Sequence, residues 1–261
     1  MSPTDTSPPI LRLQGVHKAY GSLRAVDGVA FEVQTGSLTA LIGPNGAGKT
    51  TTFDLIAGAQ ACDQGDILFN GRSLKGLAPF EVFHRGLART FQVPRPFAQM
   101  TVLENLLIAP LDQLGERFHA NWWAFSRVRA QERASQARAR EVLELCALAG
   151  KADMLAGQLS GGQQKLLELA RVLMVDPRMI LLDEPAAGVN PSLLDTLMER
   201  VQLLNARGIT FLLIEHNMEL VMRVCSRVIV MAQGRLLAQG TPQQVQDDPR
   251  VLEAYLGEAP V

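Results

Sequence analysis

Cysteine is scarce in this chain, and the few present do not pair. Cys62, Cys146 and Cys225 are odd in number, far apart and without CxxC spacing. That excludes a disulfide framework, indicates no zinc site and fits a reducing cytoplasm. An excess of either charge is also lacking, since 25 Lys and Arg stand against 26 Asp and Glu. No basic field is therefore available to hold a nucleic-acid backbone, and no nucleic-acid partner is expected. Long apolar runs are absent too. Stretches such as Ile209 to Ile214 fall far below the ~18 to 20 residues that cross a bilayer, so the chain is not expected to span a membrane alone. Met1 to Pro9 carries Asp5 and prolines where a secretory leader would have a basic and then an apolar region, and reads as a flexible tail.

What remains is an ordinary folding composition. Hydrophobic residues at 47% and charged residues at 20% over 261 positions exclude disorder and collagen and allow one or two domains. From Ile10 to Val33 short apolar runs around Tyr20-Gly21 and Asp27-Gly28 predict antiparallel strands. Ser37 to Gly43 is an apolar run ending in glycine and Lys49 to Gly58 has helical character, predicting strand, glycine loop, helix. Gly65 to Phe69 before Asn70-Gly71 predicts another strand.

The stretch Val102 to Ala149 is rich in Leu, Ala, Arg and Glu and predicts an α-helical subdomain, about 101–159, inserted in an α/β core. The α/β pattern resumes with strands Met179–Leu182 and Thr210–Ile214 around a helix from Leu193 to Asn205, the arrangement of a parallel sheet. Arg227–Met231 and Arg235–Gln239 flank Gln233-Gly234 as a hairpin, and Thr241-Pro242 with Gln244 marks a capped helix start. One domain over 10–257, with a short tail at 258–261, is the expected organisation.

Three segments carry chemistry. Gly43-Pro44-Asn45-Gly46-Ala47-Gly48-Lys49-Thr50, followed by Thr51, matches the GxxxxGK[ST] phosphate loop. Its glycines let backbone N–H groups converge on phosphate oxygens, Lys49 reaches the β/γ phosphates and Thr50 can ligate Mg²⁺. Met179 to Glu184 is an apolar strand delivering two carboxylates at its C-terminal end, where ligands sit in open α/β sheets. Asp183 is placed for the Mg²⁺ shell, and Glu184 for polarising an attacking water. Ser160-Gly161-Gly162-Gln163 precedes a helix with apolar positions Leu166, Leu169, Ala170 and Leu173, offering exposed N–H groups and a hydroxyl as a second anion site.

In this order along the chain, the three segments resemble the ATP-binding subunit of an ABC transporter. The resemblance runs from about Leu11 to Gly257 and implies a P-loop NTPase core with ATP and Mg²⁺ as its ligands. Within it, Tyr20 is similar to the aromatic that stacks on adenine, Gln92 in Arg89-Thr90-Phe91-Gln92 to the glutamine that reaches Mg²⁺ and the attacking water, and His216 to the histidine at the γ-phosphate. The resemblance further implies that Ser160 to Gln163 of one chain closes over nucleotide held by another. Asn190 stands where the broader family usually carries Asp, so the carboxylate-mediated contact between the two sites is made differently or lost.

Gly86 to Gln92, Met100 to Leu106, Asp183 to Pro191 and Ala254 to Glu258 resemble the ATPase subunits of bacterial branched-chain amino acid importers, with urea and short-chain amide importers sharing much of the pattern. This implies a peripheral subunit at the cytoplasmic face of the inner membrane. Its implied partners are two transmembrane permease subunits, a second related ABC ATPase and, indirectly, a periplasmic solute-binding protein. Val93 to Pro110 is expected to face the permease. Two other readings are a soluble ABC ATPase without a permease and a nonenzymatic ATP-binding regulator. The single cassette without a basic run argues against the first, and Glu184 with His216 against the second.

Overall fold

Three apolar pentads, Leu38–Ile42, Met179–Asp183 and Thr210–Ile214, are buried at every position, as strands covered on both faces must be. The computed structural model describes residues 8–90, 94–110 and 125–256. Its strands among these are β1 Pro9–Tyr20, β2 Leu23–Gln34, β3 Leu38–Ile42, β4 Gln64–Phe69, β5 Arg72–Ser73, β6 Leu87–Arg89, β7 Met179–Asp183, β8 Thr210–Ile214, β9 Arg227–Ala232 and β10 Arg235–Gly240. Six of them form a sheet in the order β10-β9-β3-β8-β7-β6. All its neighbours run parallel except β9 and β10. The other four form an antiparallel sheet in the order β2-β1-β4-β5.

The described residues divide into two compact units, one within 1–92, 178–187 and 201–261, the other within 93–177 and 188–200. The first holds both sheets. Leu11, Leu13, Val29 and Phe31 of the antiparallel sheet share a core with Leu41, Leu181 and Leu212 of the parallel one and with Phe53 and Ile56 of the helix Lys49–Ile56. The turns at Asn70-Gly71 and Gln233-Gly234 have positive φ at both residues, the geometry of tight hairpins whose twist matches the flanking strands. β6 is not anticipated by the periodicity: three residues are too few to show a pattern, yet Leu87, Ala88 and Arg89 pair in register with Met179, Ile180 and Leu181.

The second unit is helical among its described residues. Thr101 caps the helix Val102–Leu107, accepting the Glu104 N–H at 3.1 Å while Glu104 Oε2 accepts the Thr101 N–H at 2.7 Å. The helix Phe125–Leu145 packs on it and on the helix Gly161–Leu173, burying Ala139, Val142 and Leu143 along one face. Asn105 is fully buried, and its side chain bonds Phe97, Met100 and Thr101 backbone, shaping the loop before this helix. Residues 111–124, including Trp122 and Trp123, lie outside the described residues.

Candidate nucleotide site

Strands β3, β8 and β7 are neighbours and parallel, so the segments leaving their C-terminal ends meet at one edge of the sheet. From β3 emerges the loop Gly43 to Gly48. A side chain at Gly43 would stand 2.0 Å from the Met231 carbonyl oxygen, and one at Gly48, where φ is 94°, 2.2 Å from that of Ala25. Only glycine lets the loop lie this close to the strands around it. Lys49 is buried and donates to the Gly43 and Pro44 carbonyls at 2.7 and 2.8 Å, which holds its ammonium against the loop. The helix Lys49–Ile56 starts immediately beyond, directing its N-terminal N–H groups to the same place.

A cavity of about 550 Å³ opens there. Tyr20, Asn45, Gly46, Ala47, Gly48, Lys49, Thr50, Thr51, Glu184 and His216 all line it. Gly43 and Pro44 lie at the root of the loop, held through Lys49. Tyr20 is 45% exposed at the rim. Its hydroxyl donates to Gln60 Oε1, and Lys18 Nζ lies 5.7 Å from its ring centroid. Glu184 follows β7 with a left-handed backbone, φ 47°, its N–H donating to the Ile214 carbonyl at 3.1 Å. His216 Nε2 lies 3.0 Å from Glu184 Oε1, so the residues after β7 and β8 present an acid and an imidazole as a pair.

Asp183 turns away from its neighbour. Its Oδ2 accepts from Arg89 Nη2 at 2.8 Å, and Arg89 Nη1 donates to Asp54 Oδ1 at 2.5 Å. Burial alone pulls the pKa of the Arg89 guanidinium down, but hydrogen bonds and charge from Asp183 and Asp54 more than reverse this, holding it above its usual value. Glu215, 3% exposed, accepts the N–H groups of Ala186, His216 and Asn217 at 2.7, 3.0 and 3.2 Å. Arg89 stands inside a segment that carries the resemblance, but neither it nor Asp54 nor Glu215 is given a role by the sequence. Gln233, also on the cavity wall, is visible in sequence only as half of a turn. Gln92 lies outside the described residues.

The second unit carries Ser160 to Gln163 at the start of the helix Gly161–Leu173, where Gln163 Oε1 accepts the Ser160 N–H at 3.1 Å. A side chain at Gly162 would meet Leu193 at 2.3 Å, whereas one at Gly161 would find, among the described residues, only the Gly188 carbonyl oxygen at 3.8 Å. Internal packing therefore demands glycine at 162 and not at 161. Asn190 caps the helix Pro191–Ala206, its Oδ1 accepting from the Leu193 N–H at 2.9 Å and the Ser192 hydroxyl at 3.1 Å. Asn and Asp are equivalent caps, which gives the departure at this position a local role.

The family model described as "ABC transporter" matches residues 26–187, which include the phosphate loop, Ser160 to Gln163 and the acidic pair. The chain belongs to the ABC transporter family. A second model, "Branched-chain amino acid ATP-binding cassette transporter", matches residues 235–260. Curated relatives of this ABC ATPase match along nearly its whole length. The high-affinity branched-chain amino acid transport ATP-binding protein BraF of Pseudomonas aeruginosa is 42% identical over 254 residues, 97% of this chain and 100% of that protein. The probable branched-chain amino acid transport ATP-binding protein LivG of Methanocaldococcus jannaschii is 40% identical over 257 residues, 95% of this chain and 98% of that one. Among solved structures, a nucleotide-free ATP-binding cassette from an ABC transporter superposes with a TM-score of 0.83 at 39% identity, covering 96% of this chain and 100% of that one. An ADP conformation of an ATP-binding cassette gives 0.82 at 38%, covering 97% and 100%.

This ABC protein is thus an ATP hydrolase with an α/β P-loop core. The donor chemistry near the loop suits Mg²⁺: the Thr50 hydroxyl and a carboxylate of Asp183 are hard oxygen ligands, and no group of three or more His, Cys, Asp or Glu able to hold a metal occurs among the described residues. Mg²⁺ characteristically takes one or two carboxylates together with substrate phosphates instead of an all-protein cage. No helix among the described residues is long and apolar enough to cross a membrane.

Proposed function

We propose that this chain is the motor subunit of an importer for branched-chain amino acids, peripheral to the cytoplasmic face of the inner membrane. The observation that carries the reading is the single cavity lined by Tyr20, Lys49, Thr50, Glu184 and His216, joined to the names of the relatives. In it the loop N–H groups and Lys49 hold the β and γ phosphates of ATP, and Tyr20 stacks on adenine. Thr50, Asp183 and Gln92 are the residues that would hold Mg²⁺, which neutralises phosphate charge as it develops. Glu184 takes a proton from water as its oxygen attacks the γ-phosphorus and the bond to the bridging oxygen of ADP breaks. His216, hydrogen-bonded to Glu184, orients that carboxylate and meets the γ-phosphate.

Ser160, Gly161, Gly162 and Gln163 complete the site in trans, capping ATP held by a second, related ATPase subunit. Bound ATP then bridges the pair, and loss of the γ-phosphate releases it, a ligand-driven shift between closed and open populations. Two transmembrane permeases receive the motion. Phe97 and Ile108, 51% and 41% exposed, lie in the stretch that this reading turns toward the permease. A periplasmic solute-binding protein delivers the amino acid on the far side.

Purification from native membranes in mild detergent tests this directly. Two polytopic permeases and a second ATPase are expected to accompany the chain. ATP hydrolysis by the complex should rise with liganded branched-chain binding protein and vanish in Lys49→Ala. Recovery in the soluble fraction with a ribosomal or assembly partner would overturn the importer reading.

A further inference from the structure

A continuous line of polar side chains joins Tyr20 to Asp183, and its middle members, Gln60, Asp54 and Arg89, do not line the nucleotide cavity. Tyr20 donates to Gln60, Gln60 Nε2 donates to Asp54 Oδ2 at 3.1 Å, and Arg89 donates to Asp54 Oδ1 at 2.5 Å and to Asp183 Oδ2 at 2.8 Å. Arg89 is its centre. Its side chain is 15% exposed and that of Asp183 10%, and its guanidinium lies 5.9 Å from the Phe53 ring centroid, on the same helix as Asp54. The two terminal nitrogens of the guanidinium each meet a carboxylate from a different element, Nη1 on the helix Lys49–Ile56 and Nη2 on β7.

Charge and geometry give this arrangement a purpose. A guanidinium beside a lone Asp183 would cancel the negative charge that a divalent cation needs. Set between Asp183 and Asp54 it leaves the triad at −1, the charge of a free carboxylate. One oxygen of Asp183 is fixed, and the other has no hydrogen-bond donor among the described residues. A buried ion pair is weak evidence for a stabilising role, because desolvation offsets most of its attraction, and β6 is already joined to β7 by its backbone ladder. A planar, permanently charged guanidinium, held at Nη1 by Asp54 and donating through Nη2 to one oxygen of Asp183, is in contrast well suited to fixing that oxygen.

We propose that Arg89 is a positioning residue for Mg²⁺-ATP: anchored by Asp54, it holds Asp183 in the orientation that presents its second oxygen to the cation. This rests on the reading of Asp183 as the carboxylate for Mg²⁺. It differs from a merely structural role in what it predicts for nucleotide binding with and without the cation.

The test is binding of a fluorescent ATP analogue to the purified full-length chain, once in Mg²⁺ and once in EDTA, with melting temperature recorded for each variant. Arg89→Ala is expected to match the parent in EDTA and to lose roughly 10- to 100-fold of the affinity that Mg²⁺ adds, the usual cost of removing the partner of a metal ligand. Arg89→Lys, with its charge kept and one donor restored, should recover part of that gain. Asp54→Asn should reduce it, and the double variant Arg89→Ala/Asp54→Asn should be no worse than Arg89→Ala, since coupled residues are not additive. Should Arg89→Ala fail to fold, Arg89→Lys and Asp54→Asn carry the comparison. An unchanged Mg²⁺ gain, equal losses in both buffers, or additive losses overturn the proposal while leaving the nucleotide site intact. A parent chain that binds the analogue in neither buffer overturns the nucleotide reading, and this proposal with it.

Discussion

Glu184 occupies a left-handed backbone conformation, φ 47°, that costs a non-glycine residue roughly 1–3 kcal/mol. The hydrogen bonds of its backbone and its contact with His216 hold it there. A residue kept at such a cost beside the phosphate loop fits the role of positioning water. Glu184→Gln should accordingly slow ATP hydrolysis by about 10²- to 10⁴-fold while retaining bound ATP, seen as a closed dimer on gel filtration. Turnover at the parent rate would refute the assignment. The paired glycines separate folding from function in a similar way. Gly162→Ala is expected to destabilise the chain by about 1–3 kcal/mol through overpacking against Leu193. Gly161→Ala should melt at the parent temperature but lose turnover in the assembled pair, because no described residue crowds that position.

Among the elements, the turns after β7 and β8 behave as one piece. Three backbone N–H groups, from Ala186, His216 and Asn217, converge on the buried carboxylate of Glu215. Its side chain therefore fixes the two turns that carry the acid and the imidazole through their backbones. Replacing it with Gln removes charge and one acceptor. With charged hydrogen bonds contributing about 1.5–3 kcal/mol each, Glu215→Gln should lower unfolding stability by roughly 2 kcal/mol in a urea titration and slow hydrolysis, with nucleotide affinity less affected. The motif that marks Glu184 and His216 gives no hint of this role, since an acid before a histidine reads as one more polar residue at a strand end. β6 escaped for a related reason: three residues carry no period, and its place at the sheet edge is decided by pairing with β7.

Across the whole molecule, the thiols divide by burial. Cys146 and Cys225 are buried, and desolvation pushes both thiols up to about 12, for Cys225 with help from the Glu215 charge. Cys62 is half-buried. Iodoacetamide at neutral pH is expected to label Cys62 first and the other two only in denaturant, read by intact mass. The sign for stability follows. Unfolded thiols ionise near 9 and the buried pair only near 12, so this contribution is full below pH 9 and is lost as pH rises toward 12. Nucleotide acts on the folded chain as a whole, and ATP at 100-fold excess over its Kd should add about 2.7 kcal/mol of stability. Lys49→Ala should abolish that gain.

The residue sequence by itself determined whatever depends on neighbours a few positions apart. That covers the phosphate loop, the acids at the end of an apolar strand, the serine and glycines opening a helix, and the fully buried pentads of β3, β7 and β8. Their physics is local: backbone freedom, helix-end N–H groups and burial on both faces are written in short runs. Tertiary structure alone decided which distant groups meet. Arg89 reaches Asp54 and Asp183 across 35 and 94 positions, and Gly48 is required because the Ala25 carbonyl lies against it. Such contacts follow from strand order and from the twist that brings two sheets over one helix. A side chain records neither until the chain has closed around it.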